Sequence, residues 1–483
     1  MNAHDDGLRA PSTFPPFNES RRIRAIRSWG GAPWLAVLAV CFGAILSQVD
    51  ASIVSLAYPS MQRSFSVTIG AITWVGLSYL LTVVATLVLM GRISDMVGRK
   101  LIYVYGFVVF TGASVLCALA PSLGFLVAGR VVQGIGAAMI QANSVAIVYL
   151  AVPTTSRTRA LGIQAASQAV GLAIGPTLGG LLLQVVTWRF LFMVNLPIGV
   201  VAFIASLAFI PRSRNLAPRE PLDWWGSAYL FLGIGLILVG LSSGEHLGWS
   251  SPGIVSSLAV GAVIMVAFVV HEQRAAKPLV SIALLRTRNV SFGITAGALS
   301  YFVLYSTLFL VPFDIERALF RSSGVAGLVL LGLPGSLALF APLAGRLSSR
   351  FGASTMVAFS GITMAGGAMM LGHAGEHLPI AAGGLALMGA GLGVLNTLNN
   401  HGVMKAFPAM SAGVGSGTIN TVRGLGTAMG LAIGGAVFVA CGGASALSHE
   451  VQSAFALAMT MVAGLGALAG IFASAALRSA RET

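Results

Sequence analysis

Gly91-Arg92-Ile93-Ser94-Asp95-Met96-Val97-Gly98-Arg99-Lys100 is a polar island between two apolar runs, and Gly345-Arg346-Leu347-Ser348-Ser349-Arg350-Phe351-Gly352 is a second island far down the chain. Both read Gly-Arg-apolar-Ser-x-x-apolar-Gly. A pattern that returns once at long range marks an internal duplication. Two apolar runs precede the first copy and ten precede the second. A bare six-helix repeat would put the second copy after the eighth run. The spacing therefore predicts six helices, two inserted helices, then six more. Parallel repeats of this kind are a transporter architecture, with the substrate site between the halves.

The composition around these islands agrees. Of the 483 residues, 56% are hydrophobic and 9% charged, against about 25% charged in a soluble domain. Sixty glycines suit close packing of membrane helices. Fourteen apolar runs lie at about 33–58, 70–90, 101–120, 123–148, 160–183, 189–211, 224–243, 253–271, 290–312, 324–344, 355–372, 378–398, 411–441 and 452–476. Each approaches the roughly 20 residues that a span needs. The expected fold is an all-α polytopic membrane protein of 14 transmembrane helices. Its parts are a disordered cytoplasmic tail (1–32), an N-terminal six-helix bundle (33–211), two inserted helices with linkers (212–289), a C-terminal six-helix bundle (290–476) and a short cytoplasmic tail (477–483).

A net charge of +14 suggests a nucleic-acid partner only until its distribution is read. Of the 28 Lys and Arg, Arg63, Arg189, Arg317 and Arg321 fall in odd connections and Arg130 and Arg423 within spans. All the others occupy the tails and even connections. That bias puts both termini in the cytoplasm, a separation that one miscounted helix would scramble. No nucleic acid is expected; the lipid bilayer is the charge's partner. Cys41, Cys117 and Cys441 lie within apolar runs without CxxC or Cys/His spacing, so neither disulfides nor metal sites are supported. The first run is too long for a signal-peptide core and reads as an uncleaved span.

Charges inside the spans are the candidate functional residues, because a buried ion in a bilayer is costly and by default marks a site facing protein. Asp50 lies late in the first span and Arg130 inside the fourth, each about 12 Å from the outer end of its helix at 1.5 Å per residue. Equal depth predicts a pair in which Arg130 holds Asp50 ionised until a change of state lets it take a proton. In the loop, Gly91 and Gly98 permit tight turns, while Arg92, Arg99 and Lys100 meet anionic headgroups. Asp95 is placed to cap a helix or pair with an Arg, and so to latch the cytoplasmic side. Ser349 replaces the acid in the second copy, so the first latch should be the stronger. Gly171, Gly175 and Gly179, with Gly180 beside them, make a smooth helix face, and Pro176 should bend that helix. It reads as a rocking surface between halves. Asp314, Glu316 and Arg423 are candidate substrate or second-proton sites, with Trp74 and Tyr79 as candidate cavity lining. His246, His373, His377 and His449 read as solvated outer-connection residues.

Together these motifs resemble the major facilitator superfamily, and within it the 14-helix drug–proton antiporters, over about residues 33 to 476. Gly91–Lys100 is similar to the superfamily signature between helices two and three, and Arg130–Gly136 to the fourth-helix motif whose Arg is associated with proton coupling. Gly171–Gly180 resembles the fifth-helix motif of exporters. Asp50–Pro59 resembles the first-helix motif of the 14-helix branch, and Trp188–Gly199 is typical of it. Two departures stand out: Glu316 where many relatives carry Gln, and Asp314 in place of an apolar or aromatic residue.

The resemblance implies proton-coupled efflux of small amphipathic or cationic compounds by alternating access. The protein would act as a monomer in the inner membrane, with the proton gradient as energy source and no cofactor. A dedicated exporter of one metabolite fits the same motifs. A transport-inactive sensor would predict a large soluble domain, and the connections are too short for one. No Ser/His/Asp or metal-ligand cluster within the spans points to an enzyme.

Overall fold

The computed structural model describes residues 31–67, 69–212, 223–275, 278, 280, 282–315, 319–321, 323–443 and 447–482. The tail expected before residue 31, most of the 212–222 linker and Glu316 lie outside them. Every regular element among the described residues is a helix.

The long helices are α1 (Ala32–Ile53), α2 (Ile69–Val97), α3 (Arg99–Ala118), α4 (Leu123–Ala151), α5 (Arg157–Val185) and α6 (Asn195–Phe209, after a short helix Arg189–Met193). Then come α7 (Trp224–Leu247) and α8 (Pro252–Arg274). The last set is α9 (Arg288–Phe313), α10 (Ser323–Leu330 and Gly332–Phe340), α11 (Ala353–Gly372), α12 (Leu378–Ala406), α13 (Ala412–Phe438) and α14 (Ser448–Glu482). Among the described residues, twelve helices are long and apolar enough to cross a membrane, and one bent pair raises the number to as many as thirteen. Beyond these, α5 has 29 residues, roughly 43 Å at 1.5 Å per residue and longer than a hydrocarbon core of about 30 Å.

The tenth run departs most from the sequence reading. It breaks at Leu331, and Val325–Phe340 meets the next helix, Ala344–Phe351, at a bend of 61°. The prolines explain both breaks. Pro334 and Pro342 donate no backbone N–H, and their rings crowd the carbonyls four residues earlier, at Leu330 and Ala338. Pro176, expected to bend α5, lies inside one uninterrupted helix.

The duplication is visible in backbone and packing alike. Gly98 and Gly352, the second glycines of the two islands, have φ of 125° and 85°, which a residue with a Cβ reaches only under strain. Pro153 and Pro408 each lead into a single 3-10 turn, Thr154–Ser156 and Ala409–Ser411, before α5 and α13. Among the first six helices, α1 packs on α4, α5 and α6, α2 on α4, and α3 on α4 and α6. Eight helices on, α9 packs on α12, α13 and α14, α10 on α12, and α11 on α12 and α14. The contacts between the two sets pair off similarly: α2 with α13 and α10 with α5, then α4 with α13 and α12 with α5.

The inserted helices break this symmetry. α7 packs on both α2 and α13, covering the seam between the two sets on one side, and α8 packs on α7. On α8, Val263 is 67% and Val266 64% exposed, a surface that suits lipid.

Glycine sets the closest approaches in the last six helices. A Cβ on Gly470 of α14 would lie 2.6 Å from Gly361 Cα of α11, and the reverse distance is 2.8 Å. Gly470→Val should therefore lower stability by about 1–3 kcal/mol through overpacking. Thermal unfolding of the detergent-purified protein measures it, with Gly112→Val, whose Cβ would meet nothing within 4 Å, as the neutral control.

Candidate functional site

Polar residues from several helices converge inside the first set. Arg130 and Gln133 lie three apart on α4 and so share a face, Asp50 comes from α1, Ser114 from α3, and Asn195 is the first residue of α6. All are buried: Asp50, Gln133, Ser114 and Asn195 are 0% exposed and Arg130 1%. Asp50 Oδ2 accepts from Arg130 Nη1 at 2.8 Å. Asp50 Oδ1 accepts from Gln133 Nε2 at 2.9 Å and Asn195 Nδ2 at 2.6 Å. Gln133 also donates to Ser114 Oγ at 2.9 Å. Arg130 Nη1 donates to Gln133 Oε1 at 2.7 Å, and Nε to the Val75 carbonyl of α2 at 3.0 Å. Its guanidinium lies 4.1 Å from the Tyr79 ring centre and 5.7 Å from that of Phe192.

The depth expected from sequence thus yields the expected pair, and the structure adds its supports. A buried ion pair is tolerated only when the remaining lone pairs and protons are satisfied. Gln133 and Asn195 do that for Asp50, with Ser114 accepting from both amides, and Val75 and Tyr79 do it for Arg130. The signal was present: Gln133 sits one helical turn after Arg130, and Asn195 is a lone amide at the start of an apolar run. What linear sequence lacks is that α6 brings Asn195 to α1.

Arg130 and Tyr79 line a cavity of about 550 Å³ between the two sets of helices. Asp50 sits behind Arg130 rather than on the cavity wall. Facing them are Tyr301, Tyr305 and Phe309 of α9 and Asn420 and Arg423 of α13. Its size falls within the range of small-molecule sites. Of the two aromatic candidates, Tyr79 lines this cavity; Trp74 is 41% exposed and does not.

The end of the molecule bearing Gly91–Lys100, the basic end, is closed by α2 against α13. Asp95 is 0% exposed. Its Oδ1 accepts from Gly413 N at 2.8 Å and Oδ2 from Val414 N at 2.9 Å. It thus caps the N-terminus of α13, where unpaired N–H groups and the helix dipole favour an anion. Arg99 donates to the same carboxylate at 2.6 and 2.8 Å, and also to the Ala409 carbonyl at 2.6 Å. Gly91 and Gly413 let the backbones touch: a Cβ on Gly91 would lie 2.4 Å from Gly413 O. Gly98 supplies the left-handed turn between α2 and α3. Arg92 is half-buried nearby, but the cation on Asp95 is Arg99. In the second copy, a Cβ on Gly345 would lie 3.6 Å from Arg159 N near the start of α5, while Ser349 donates to the carbonyl of Arg346 in its own helix. A hydroxyl there leaves the second island without a carboxylate cap.

The glycine face of α5 is used differently from the rocking surface expected. A Cβ on Gly171 would lie 2.8 Å from Ile45 O, and one on Gly175 would press on Ser52, so this face meets α1 of its own set. Gly179 is buried farther along, and the helix continues through Pro176 and Gly180. It is Gly162, near the other end of α5, that meets the opposite set, with a Cβ position 2.2 Å from Ala341 O of the α10 break. Asp314, just past α9, is buried at 8% exposed rather than lying on a solvated rim. Its Oδ1 has no hydrogen-bond partner among the described residues.

With this geometry in hand, relatives can be compared. The model of the Major Facilitator Superfamily matches residues 40–431. Multidrug resistance protein Stp of Mycobacterium tuberculosis is 32% identical over 415 residues, covering 84% of this chain and 76% of Stp. Riboflavin transporter RibZ of Clostridioides difficile is 29% identical over 406 residues, covering 83% of this chain and 87% of RibZ. The structure of the proton:xylose symporter XylE matches with a TM-score of 0.65 at 15% identity, over 92% of this chain and 95% of that one, a likeness of fold. A duplicated helical bundle around a central cavity, matched over most of its length by that family model, places the protein: the chain belongs to the major facilitator superfamily.

Proposed function

We propose that the protein is a proton-coupled exporter of small amphipathic compounds, of the multidrug type, working by alternating access. The observation that carries this reading is the buried Asp50–Arg130 pair set immediately behind the cavity wall. Similarity to a multidrug resistance protein supports the direction of transport. In this reading α5 and the bent α10 complete 14 spans, arranged as six-helix bundles over 33–211 and 290–476 with the 212–289 insertion between them. Both termini and the basic end are cytoplasmic, the membrane is the inner one, and one chain is the working unit.

The coupling follows from two terms of similar size. A proton reaching Asp50 from the outer side removes the partner of a fully buried Arg130. Leaving one member of such a pair uncompensated costs about 3–5 kcal/mol, enough to move a two-state equilibrium by a hundredfold or more. The cap that Asp95 makes on α13 consists of charge-assisted hydrogen bonds worth about 1.5–3 kcal/mol each. The two bonds of that cap together come to about 3–6 kcal/mol, so one proton taken up at Asp50 is comparable in size to the closed state of the basic end. The halves then rock until the cavity faces the cytoplasm. Deprotonation there restores the ion pair.

Two outcomes are expected. In proteoliposomes under an imposed pH gradient, Asp50→Asn should abolish substrate-dependent proton flux while the purified variant, although less stable through the unpaired Arg130, still elutes as a folded species on size-exclusion chromatography. Unchanged flux rejects Asp50 as the coupling group. Asp95→Asn should shift the closed basic end towards open by about tenfold, the equivalent of ~1.4 kcal/mol. Spin labels at Thr154 and Met410, exposed on the two basic-end connections, would read this as a larger share of long distances; an unaltered distribution shows that Asp95 is no latch.

A further inference from the structure

The two arginines on the cavity wall are held differently. Arg130 has its acid behind it, and its donors go to Asp50, Gln133 and Val75. Arg423 on α13 is 6% exposed and lines the same cavity. Among the described residues its one hydrogen bond runs from Nη1 to Asn420 Oδ1 at 3.2 Å, and its guanidinium lies 5.0 Å from the Tyr301 ring centre. No carboxylate among the described residues pairs with it: the ion pairs formed join Asp50 to Arg130, Asp95 to Arg99 and Asp223 to His271. Nor does any acidic residue among the described ones line the cavity. Beside Arg423, a narrow cleft of about 20 Å³ is lined by the neutral amides Gln48, Gln168 and Asn396. An amide offers N–H donors to an anion as readily as it offers a carbonyl.

With Asp50 spent on Arg130, the cavity carries one cation, Arg423, without a counter-ion among the described residues. Such a charge, nine-tenths buried, is costly until an anion meets it. Guanidinium is also the side chain best matched to a carboxylate, through parallel N–H donors. The remaining wall sets the rings of Tyr58, Tyr79, Tyr301, Tyr305 and Phe309 among aliphatic and small residues, and these rings accept flat ligands in offset or edge contact.

We propose that the cavity selects aromatic amphipathic anions, with Arg423 taking the ligand's carboxylate or equivalent acidic group and the tyrosines holding its ring body. This deepens the exporter reading and rests on it for transport, although not for binding. It narrows the expected cargo from amphipathic or cationic compounds to those with a negative charge. A cationic amphipath of the same shape would meet Arg423 with like charge, which disfavours it.

The test uses three probes on one ring system: anthracene-9-carboxylate, its primary carboxamide, and 9-(aminomethyl)anthracene. Binding to the detergent-purified full chain is read by probe fluorescence at neutral pH. The carboxylate should bind at least about tenfold more tightly than the amine. Arg423→Gln should erase that preference while leaving the carboxamide within about twofold, and Arg423→Lys should restore most of it. The inference is overturned if the amine binds as well as the carboxylate, if none of the three binds, or if Arg423→Gln weakens all three equally, the sign of a structural role. Should Arg423→Gln fail to fold, the ranking in the unaltered protein and the Lys variant still decide. Proton-driven transport of the same probes separates the two readings. Export of the amine but not the carboxylate leaves the exporter standing and removes the anion preference. Binding of the carboxylate through Arg423 with no transport of any probe does the reverse.

Discussion

An ion inside a low-dielectric helical bundle must be compensated, and the placement of compensation organises this protein. Asp50 and Arg130 compensate each other within one set of helices, supported by Gln133 and Asn195. Because the amides and Ser114 come from other parts of that set, the ion pair also fixes how α1, α3, α4 and α6 sit together. A buried pair of this kind contributes little net stability. In the proposed cycle it acts as a switch: charged and paired it is quiet, and protonated it leaves Arg130 without its counter-ion at the cavity wall.

The same constraint acts at the basic end with different chemistry. There the compensation is shared between Arg99 of the same set and the N-terminal N–H groups of α13 in the opposite set, so satisfying Asp95 in full requires the two sets to touch. One carboxylate therefore binds a set to itself and another binds the two sets together. Glycine makes the second contact possible, since Gly91 and Gly413 bring the backbones close enough for a short side chain to span. The α5–α10 seam, equivalent under the duplication, has Ser349 where the first seam has its acid, and relies on backbone contact between Gly162 and Ala341. The inserted α7 covers the α2–α13 seam, so the seam that carries the carboxylate cap is also the covered one.

Much of the fold could be read in one dimension because bilayer physics is one-dimensional. Apolar run length, the position of Lys and Arg, and the recurrence of Gly-Arg-apolar-Ser need no knowledge of neighbours. The second duplicated signal, Pro153 and Pro408 with their following 3-10 turns, was equally present and passed unnoticed because the surrounding residues differ. The tenth run was read as one span although Pro334 and Pro342 both lie in it, and proline breaks a helix through local sterics that sequence does carry.

The sequence by itself determined which residues are helical, where the costly charges lie, and at what depth Asp50 and Arg130 stand, since each depends on spacing along a single chain. Tertiary structure decided who satisfies those charges. That Asp95 caps α13, that the glycine face of α5 meets α1 and not the opposite set, and that Arg423 faces a cavity with no acid among the described residues all depend on which helix faces become neighbours. The reason is physical: compensation acts over a few ångströms in space, and residues such as Asp95 and Gly413 reach that range only after hundreds of intervening residues have packed.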